Sequence, residues 1–270
     1  MKKITTLLTF TLLTLFIAGC LQVETTVKVE TDGSGTINEK VLFSTTFVNM
    51  MKDFAQAFQD SASTEGFSMF SEEEIIADAQ NYGKNVEYVT HELINTDNWE
   101  GYQVVYSFDD ITKIRISPDP DSKVDIEGDA AENGEEEEYY FFKFVKGDTP
   151  QLIIDRPEIE LSGETESGDS EASEQSNEEG EDEFLKVMEG MKIDISVEVD
   201  GEIVSTNATY VQGSKVTLFQ MDFSEMMKNK EGFEEFKKNE PKNIEEMKKY
   251  LEKLPGLKIE VEKPITIKFN

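Results

Sequence analysis

The chain has 270 residues, 37% of them hydrophobic, and carries 26 basic against 57 acidic side chains, a formal net charge of -31. A field that negative repels nucleic acid, so no nucleic-acid partner is expected, and Arg115 and Arg156 are the only arginines able to grip a phosphate bidentately. One cysteine and one histidine leave no disulfide and exclude most zinc sites, so neither a metal site nor a cofactor is expected.

Lys2 and Lys3 form a short positive segment, and Ile4 to Ile17 is an apolar run broken only by threonines. This is the layout of an export signal. It is shorter than the ~20 apolar residues that a membrane-spanning helix needs. Ile17-Ala18-Gly19-Cys20 then resembles the bacterial lipobox: a branched apolar residue and two small ones precede a cysteine whose thiol can carry a diacylglycerol. The expectation is a cleaved signal peptide over residues 1–19 and a lipidated Cys20 at the mature N-terminus. Two or three acyl chains there give stable anchoring, which a single chain does not. The competing reading is an ordinary secretion signal with an incidental cysteine. Leu21 and Gln22 follow, without the Asp that in some Gram-negative groups retains a lipoprotein at the inner membrane. The expected location is therefore the cell envelope, facing periplasm or exterior, with the outer membrane as the Gram-negative case.

Val23 to Glu30 alternates apolar and polar residues, Asp32-Gly33-Ser34-Gly35 signals a turn, and Thr36 to Ser44 alternates again, which predicts a β-hairpin. Thr45 or Thr46 is expected to cap a helix. Its Phe47, Met50, Met51, Phe54 and Phe58 fall at i, i+3, i+4, i+7 and i+11 and form one apolar stripe. Such a stripe reads either as a face packed on a sheet or as the adaptable lining of a lipid or apolar-ligand cavity. Ser71 with Glu74 is a capping box for a second short helix ending near Gly83. Strands are expected at 85–93, 101–108, 112–117, 139–145 and 151–154. The run Tyr139-Tyr140-Phe141-Phe142 suggests a strand covered on both faces. Trp99, the lone tryptophan, reads as a loop anchor or a contact to lipid headgroups.

Acid is concentrated at Glu132–Glu138 and at Leu161–Glu183, the latter too poor in apolar residues to offset its ordering entropy. It reads as a disordered linker, or as a weak calcium sponge. Asp119, Asp121, Asp125, Glu127 and Asp129 begin like a calcium loop, but Lys123 stands at a ligand position and no Glu closes the loop. The organisation is then a signal peptide at 1–19, a membrane-proximal α+β region at 20–156, the acidic linker at 157–183, and a second α+β region at 184–270 that completes the same sheet.

In that second region Phe184 to Met191 suggests a short helix. Ile193 to Val199 alternates, Asp200-Gly201 turns the chain, and Ile203 to Ser205 returns. A strand at 215–219, a Lys- and Glu-rich helical stretch at 224–253 broken by Pro241, and strands at 257–261 and 265–269 close the chain. The fold class is α+β: an antiparallel curved sheet with segregated helices.

Val27-Lys28-Val29 followed by Asp32-Gly33-Ser34-Gly35-Thr36, and Ile193 to Val197 followed by Asp200-Gly201, Thr206-Asn207 and Gly213 to Thr217, resemble two recurring blocks of the LppM-like lipoproteins. The blocks cover about a fifth of the chain. Asp200 stands where the family has proline, and Leu218 or Phe219 where it has tryptophan. The family's C-terminal membrane helix has no counterpart here. The resemblance implies a curved sheet around a long helix, a role in binding envelope lipids, and no catalytic residues.

His91 is the only residue on which a serine-type triad could be built, and no nucleophile elbow or P-loop accompanies it. A non-enzymatic, lipid-anchored module binding an amphiphile or envelope lipid is expected. The alternative is a structural lipoprotein that meets a protein partner in the envelope, the partner itself being unknown, and an uncharacterised enzyme is a third reading.

Overall fold

Valine alternation after Cys20 produces the strand on which the fold is built. The computed structural model describes residues 21–58, 70–119, 139–159, 190–238 and 241–270, and the architecture is that of these residues. Strand β1 (Leu21–Val29) turns Leu21, Val23, Thr25, Val27 and Val29 inward. The Asp32 carboxylate then accepts hydrogen bonds from the Ser34 amide at 2.9 Å and the Ser34 hydroxyl at 2.7 Å. Gly33 takes φ 90°, a left-handed conformation that glycine adopts without strain. The chain returns antiparallel as β2 (Gly35–Ser44), with Leu21 opposite Phe43 and Val29 opposite Gly35, which is the expected hairpin.

Strands β3 (Val86–Asn95) and β4 (Trp99–Phe108) continue this sheet on the β2 side in the order β1-β2-β4-β3. On the other side β1 runs parallel to β8 (Lys192–Val199), which pairs antiparallel with β11 (Lys215–Asp222). Two short strands share the outer edge of β11: β10 (Val211–Gln212) along its start and β12 (Leu257–Ile259) along its end. A parallel pair requires a long connection, and the whole segment from β2 to β8 supplies it.

A second sheet has the order β5 (Arg115–Ile116), β6 (Tyr140–Val145), β7 (Gln151–Asp155), β13 (Ile265–Phe269), β9 (Ile203–Thr206). Its inward side chains, among them Ile116, Phe142, Leu152, Ile154, Ile267 and Phe269, share one continuous core with Val27, Val29, Ile37 and Tyr106 of the large sheet. The expected single sheet is therefore two, and the class is α+β.

Two expectations are corrected here. The aromatic run is not covered on both faces: Tyr140 and Phe142 are buried, whereas Phe141 is 52% exposed, because β6 has the second sheet's core on one side only. Nor does Asp200-Gly201 make a hairpin. Asp200 donates its amide to Val29 O at 2.9 Å, and the chain crosses at Gly201 to the second sheet, where β9 pairs with β13. Gly201 is required at this crossing, since φ is 115° and a Cβ would lie 1.7 Å from Asn270 O.

The helices lie at the sheet ends. Helix α1 (Thr45–Phe58) continues directly from β2, and α2 (Glu72–Ala77) extends as a 3-10 turn to Tyr82. The Ser71–Glu74 capping box is present in both directions. Helices α3 (Phe223–Met226), α4 (Lys230–Lys238) and α5 (Ile244–Lys253) pack Phe223, Met226, Phe233, Met247 and Leu251 with Leu254, Leu257 and Val261 into a second apolar cluster. Among the described residues, no helix is long and apolar enough to cross a membrane.

Candidate functional site

The first part of the α1 stripe singled out from the sequence lies at the end of the large sheet where β1 begins. Leu21 is the first residue of β1 and is buried between Phe43 of β2 and the start of β8. Cys20 itself lies outside the described residues, one peptide unit ahead of it.

Helix α1 covers the core at this end. Its cap is Ser44, one residue earlier than expected: the Ser44 hydroxyl accepts the Phe47 amide at 3.2 Å. Thr45 is engaged elsewhere, donating its amide to Asn98 O at 2.9 Å and its hydroxyl to Asp97 O at 3.2 Å. This ties the helix start to the β3–β4 turn. Phe47 is buried and stacks on Phe43 with ring centroids 5.5 Å apart. Phe43 meets Phe70 at 5.6 Å, and Phe70 meets Tyr102 edge-on at 5.4 Å. Met50 and Met51 are half-buried against the same core. Phe47, Met50 and Met51 are thus brought together, and they pack on the protein's own side chains. The side chains of Phe54 and Phe58 lie outside the described ones.

Next to this aromatic group the sheet buries a charge-bearing residue that a polarity reading passes over. Glu39 occupies an inward position of β2 between Ile37 and Val41 and is 1% exposed. The Tyr82 hydroxyl donates to Glu39 Oε2. The Tyr106 hydroxyl donates to Ile75 O at 2.7 Å, and the Tyr82 and Tyr106 rings lie 5.4 Å apart. Burial, with the charge of Glu39 second, pushes the hydroxyls of Tyr82, Tyr102 and Tyr106 well above the usual range.

A second buried charged group sits where the second sheet meets the C-terminal helices. Glu260 is fully buried; it accepts the Thr209 amide at 2.5 Å, the Thr209 hydroxyl at 3.2 Å and the Glu262 amide at 3.2 Å. Arg156, also buried, donates to Pro157 O at 2.6 Å and Val261 O at 2.9 Å. Burial raises the Tyr140 hydroxyl, Arg156 opposes that shift and Glu260 adds to it. The sequence carried a signal for Glu39 alone: it stands in phase with Ile37 and Val41 of β2, whereas Glu260 is in phase with Lys258 and Glu262.

The remaining candidates are dispersed. His91 lies on the edge strand β3, where its Nδ1 is 2.7 Å from the Tyr88 hydroxyl. Among the described residues, no three His, Cys, Asp or Glu side chains are grouped to hold a metal ion. Asp119 is described, with its amide donating to Ser117 Oγ at 3.1 Å, whereas Asp121, Asp125, Glu127, Asp129 and both acidic blocks lie outside the described residues.

No protein-family model and no curated protein matches the chain. A solved structure to which it is similar is the NMR structure of the folded domain of LppM from Mycobacterium tuberculosis. The two are 10% identical with a TM-score of 0.34, and the match covers 94% of this chain and 91% of that one. The α+β class rests on this chain's own strand pairings.

Proposed function

We propose that the chain is a lipid-anchored lipoprotein of the bacterial cell envelope, non-enzymatic, that binds an amphiphile or envelope lipid. The observation that carries the anchoring is the coincidence of the lipobox with the fold: the motif ends one residue before Leu21, where a buried strand paired on both sides begins. A diacylglyceryl group on Cys20 would attach to the body with almost no tether. The binding half of the reading is supported by Met50 and Met51 of α1, which are half-buried near that end rather than enclosed in the core.

A protein-partner reading is favoured by a different observation. The outer face of the second sheet shows Phe141 and Val145 largely exposed, beside Arg115, whose guanidinium lies 4.3 Å from the Tyr139 ring centre. Exposed apolar groups clustered this way suit a protein surface.

The test is Cys20→Ser in a bacterial host, read by metabolic labelling with a palmitate analogue and by membrane fractionation. Loss of label together with an uncleaved or released chain is expected, and unchanged labelling refutes the anchor. Native mass spectrometry of the purified protein then separates the two binding readings. A reproducible co-purified phospholipid mass supports the amphiphile; an apo mass across several lipid mixtures favours the partner.

A further inference from the structure

We infer that the rim of the large sheet carrying Trp99 is a membrane-contact surface, with the indole seated at the headgroup level of the bilayer that holds the lipid anchor. The inference rests on the lipoprotein reading and goes beyond it by assigning a second contact. It follows from strand register. Leu21 pairs with Phe43, Phe43 with Glu100, and Ser44 with Trp99. Trp99 therefore stands one residue beyond the level of Leu21, on the side toward Cys20, two strands from β1. Neighbouring strands are ~4.8 Å apart, so about 10 Å of sheet separates Trp99 from the line of the anchor. The cysteine is one residue from Leu21, so the acyl chains cannot enter a bilayer without bringing this rim to its surface.

The rim is built to hold the indole there. Trp99 O accepts the Thr96 amide at 2.9 Å and the Thr96 hydroxyl at 3.1 Å, while the Trp99 amide donates to Thr96 Oγ1 at 3.0 Å. The neighbouring Asp97 and Asn98 carbonyls are clamped to Thr45 at the start of α1. Trp99 is half-buried, so part of a large amphipathic ring is presented from a fixed backbone. Indole rings favour the interface because the ring is apolar while its N–H still finds a polar partner. A strand of nine residues at ~3.3 Å each places the opposite end of β1, with the Asp32–Ser34 turn, roughly 27 Å farther out. A Cβ on Gly33 would lie 2.9 Å from the Phe144 ring, so that end of the second sheet sits at the far end and faces away from the membrane.

Trp99 is the only tryptophan, so intrinsic fluorescence reports this one site. The full chain is purified from a bacterial host, its N-terminus is identified by mass spectrometry, and it is reconstituted on phosphatidylcholine vesicles carrying bromines either shallow or deep in the acyl chains. An acylated protein should show a blue-shifted emission that shallow bromines quench strongly and deep ones weakly. It should also lose quenching by acrylamide relative to the Cys20→Ser chain. An acylated, vesicle-bound protein whose emission ignores both bromolipids overturns the contact and leaves the lipoprotein reading standing. An N-terminus without acyl groups overturns both.

Discussion

Glu24 and Lys192 meet at 2.6 Å across the parallel strand pair β1–β8, joining positions 168 residues apart in the chain. Desolvation alone raises the Glu24 carboxyl, but the hydrogen bond and charge of Lys192, with Lys40 and Lys215 behind it, outweigh it and hold the group below its ordinary range. Desolvation likewise lowers the Lys192 ammonium, and Glu24 with Asp194 and Asp222 more than reverses it. Both charged forms are thus favoured by folding. The stabilisation is complete above the unfolded Glu value, fades as pH falls through the lowered folded one, and fades again as pH rises through the raised folded value of Lys192. Both side chains are about a third exposed, so Lys192→Met should cost only a few tenths to ~1 kcal/mol near neutrality. In thermal melts from about pH 7 down to about pH 3, the gap between variant and parent should close as Glu24 protonates. A gap independent of pH would show that packing, not charge, joins these strands.

Four tyrosines make an alkaline counterpart. Burial pushes up Tyr82, Tyr102, Tyr106 and Tyr140, so the folded chain keeps protons that an unfolded chain releases near pH ~10. With folded values above unfolded ones, stability is unaffected below that range and falls as pH rises past it. An ultraviolet titration of the eight tyrosines should therefore show a group that ionises only together with unfolding. Tyr82→Phe should remove one member of that group and cost about 1–3 kcal/mol, because the buried Glu39 loses a donor. Complete tyrosine ionisation while the fold persists is the result that contradicts this account.

What was legible in the sequence was local. The Asp32-Gly33 hairpin and the Ser71–Glu74 box need only residues a few positions apart, and both are present as expected. Long-range choices were not legible. Asp200-Gly201 has the composition of a hairpin turn, and nothing near it says that Ile203 pairs with Phe269 rather than folding back on β8. The Ser44 cap was missed because β2 runs into α1 without a loop, which leaves Thr45 to bond the distant Asp97. The burial of Glu39 is foreshadowed by its phase with Ile37 and Val41, whereas Glu260 shares the phase of Lys258 and Glu262, and its burial depends on the distant Thr209 loop. For the candidate site, the stripe from Phe47 to Met51 could be read from spacing, but its aromatic partners Phe43, Phe70 and Tyr102 come from three separate segments.

Glu260 ties the Thr209 loop to the segment after β12. Three hydrogen bonds converge on its fully buried carboxylate, and hydrogen bonds to charged groups are the stronger kind. Glu260→Ala leaves these donors buried without their acceptor and should cost roughly 2–3 kcal/mol in urea unfolding. Thr209→Val removes only the hydroxyl, keeps the 2.5 Å hydrogen bond from the amide and should cost less. Equal losses in the two variants would mean that the loop is held by packing rather than by the carboxylate.

Phe47 decides between the two meanings of the α1 stripe. Its ring is 3% exposed and stacks on Phe43, so Phe47→Ala opens a cavity in a close-packed core. The expected loss is about 3–5 kcal/mol, the range for removing a buried aromatic ring. A core role makes that loss the same in detergent-extracted, delipidated and lipid-supplemented protein, because the ring then packs on the protein's own side chains and on nothing that lipid could replace. A ligand-lining role predicts something else: added phospholipid stabilises the parent by mass action but not the variant, so the difference in melting temperature grows with lipid concentration. Thermal melts of parent and Phe47→Ala across a phospholipid series should show parallel curves. Curves that diverge would move Phe47 from the core to the wall of a binding site.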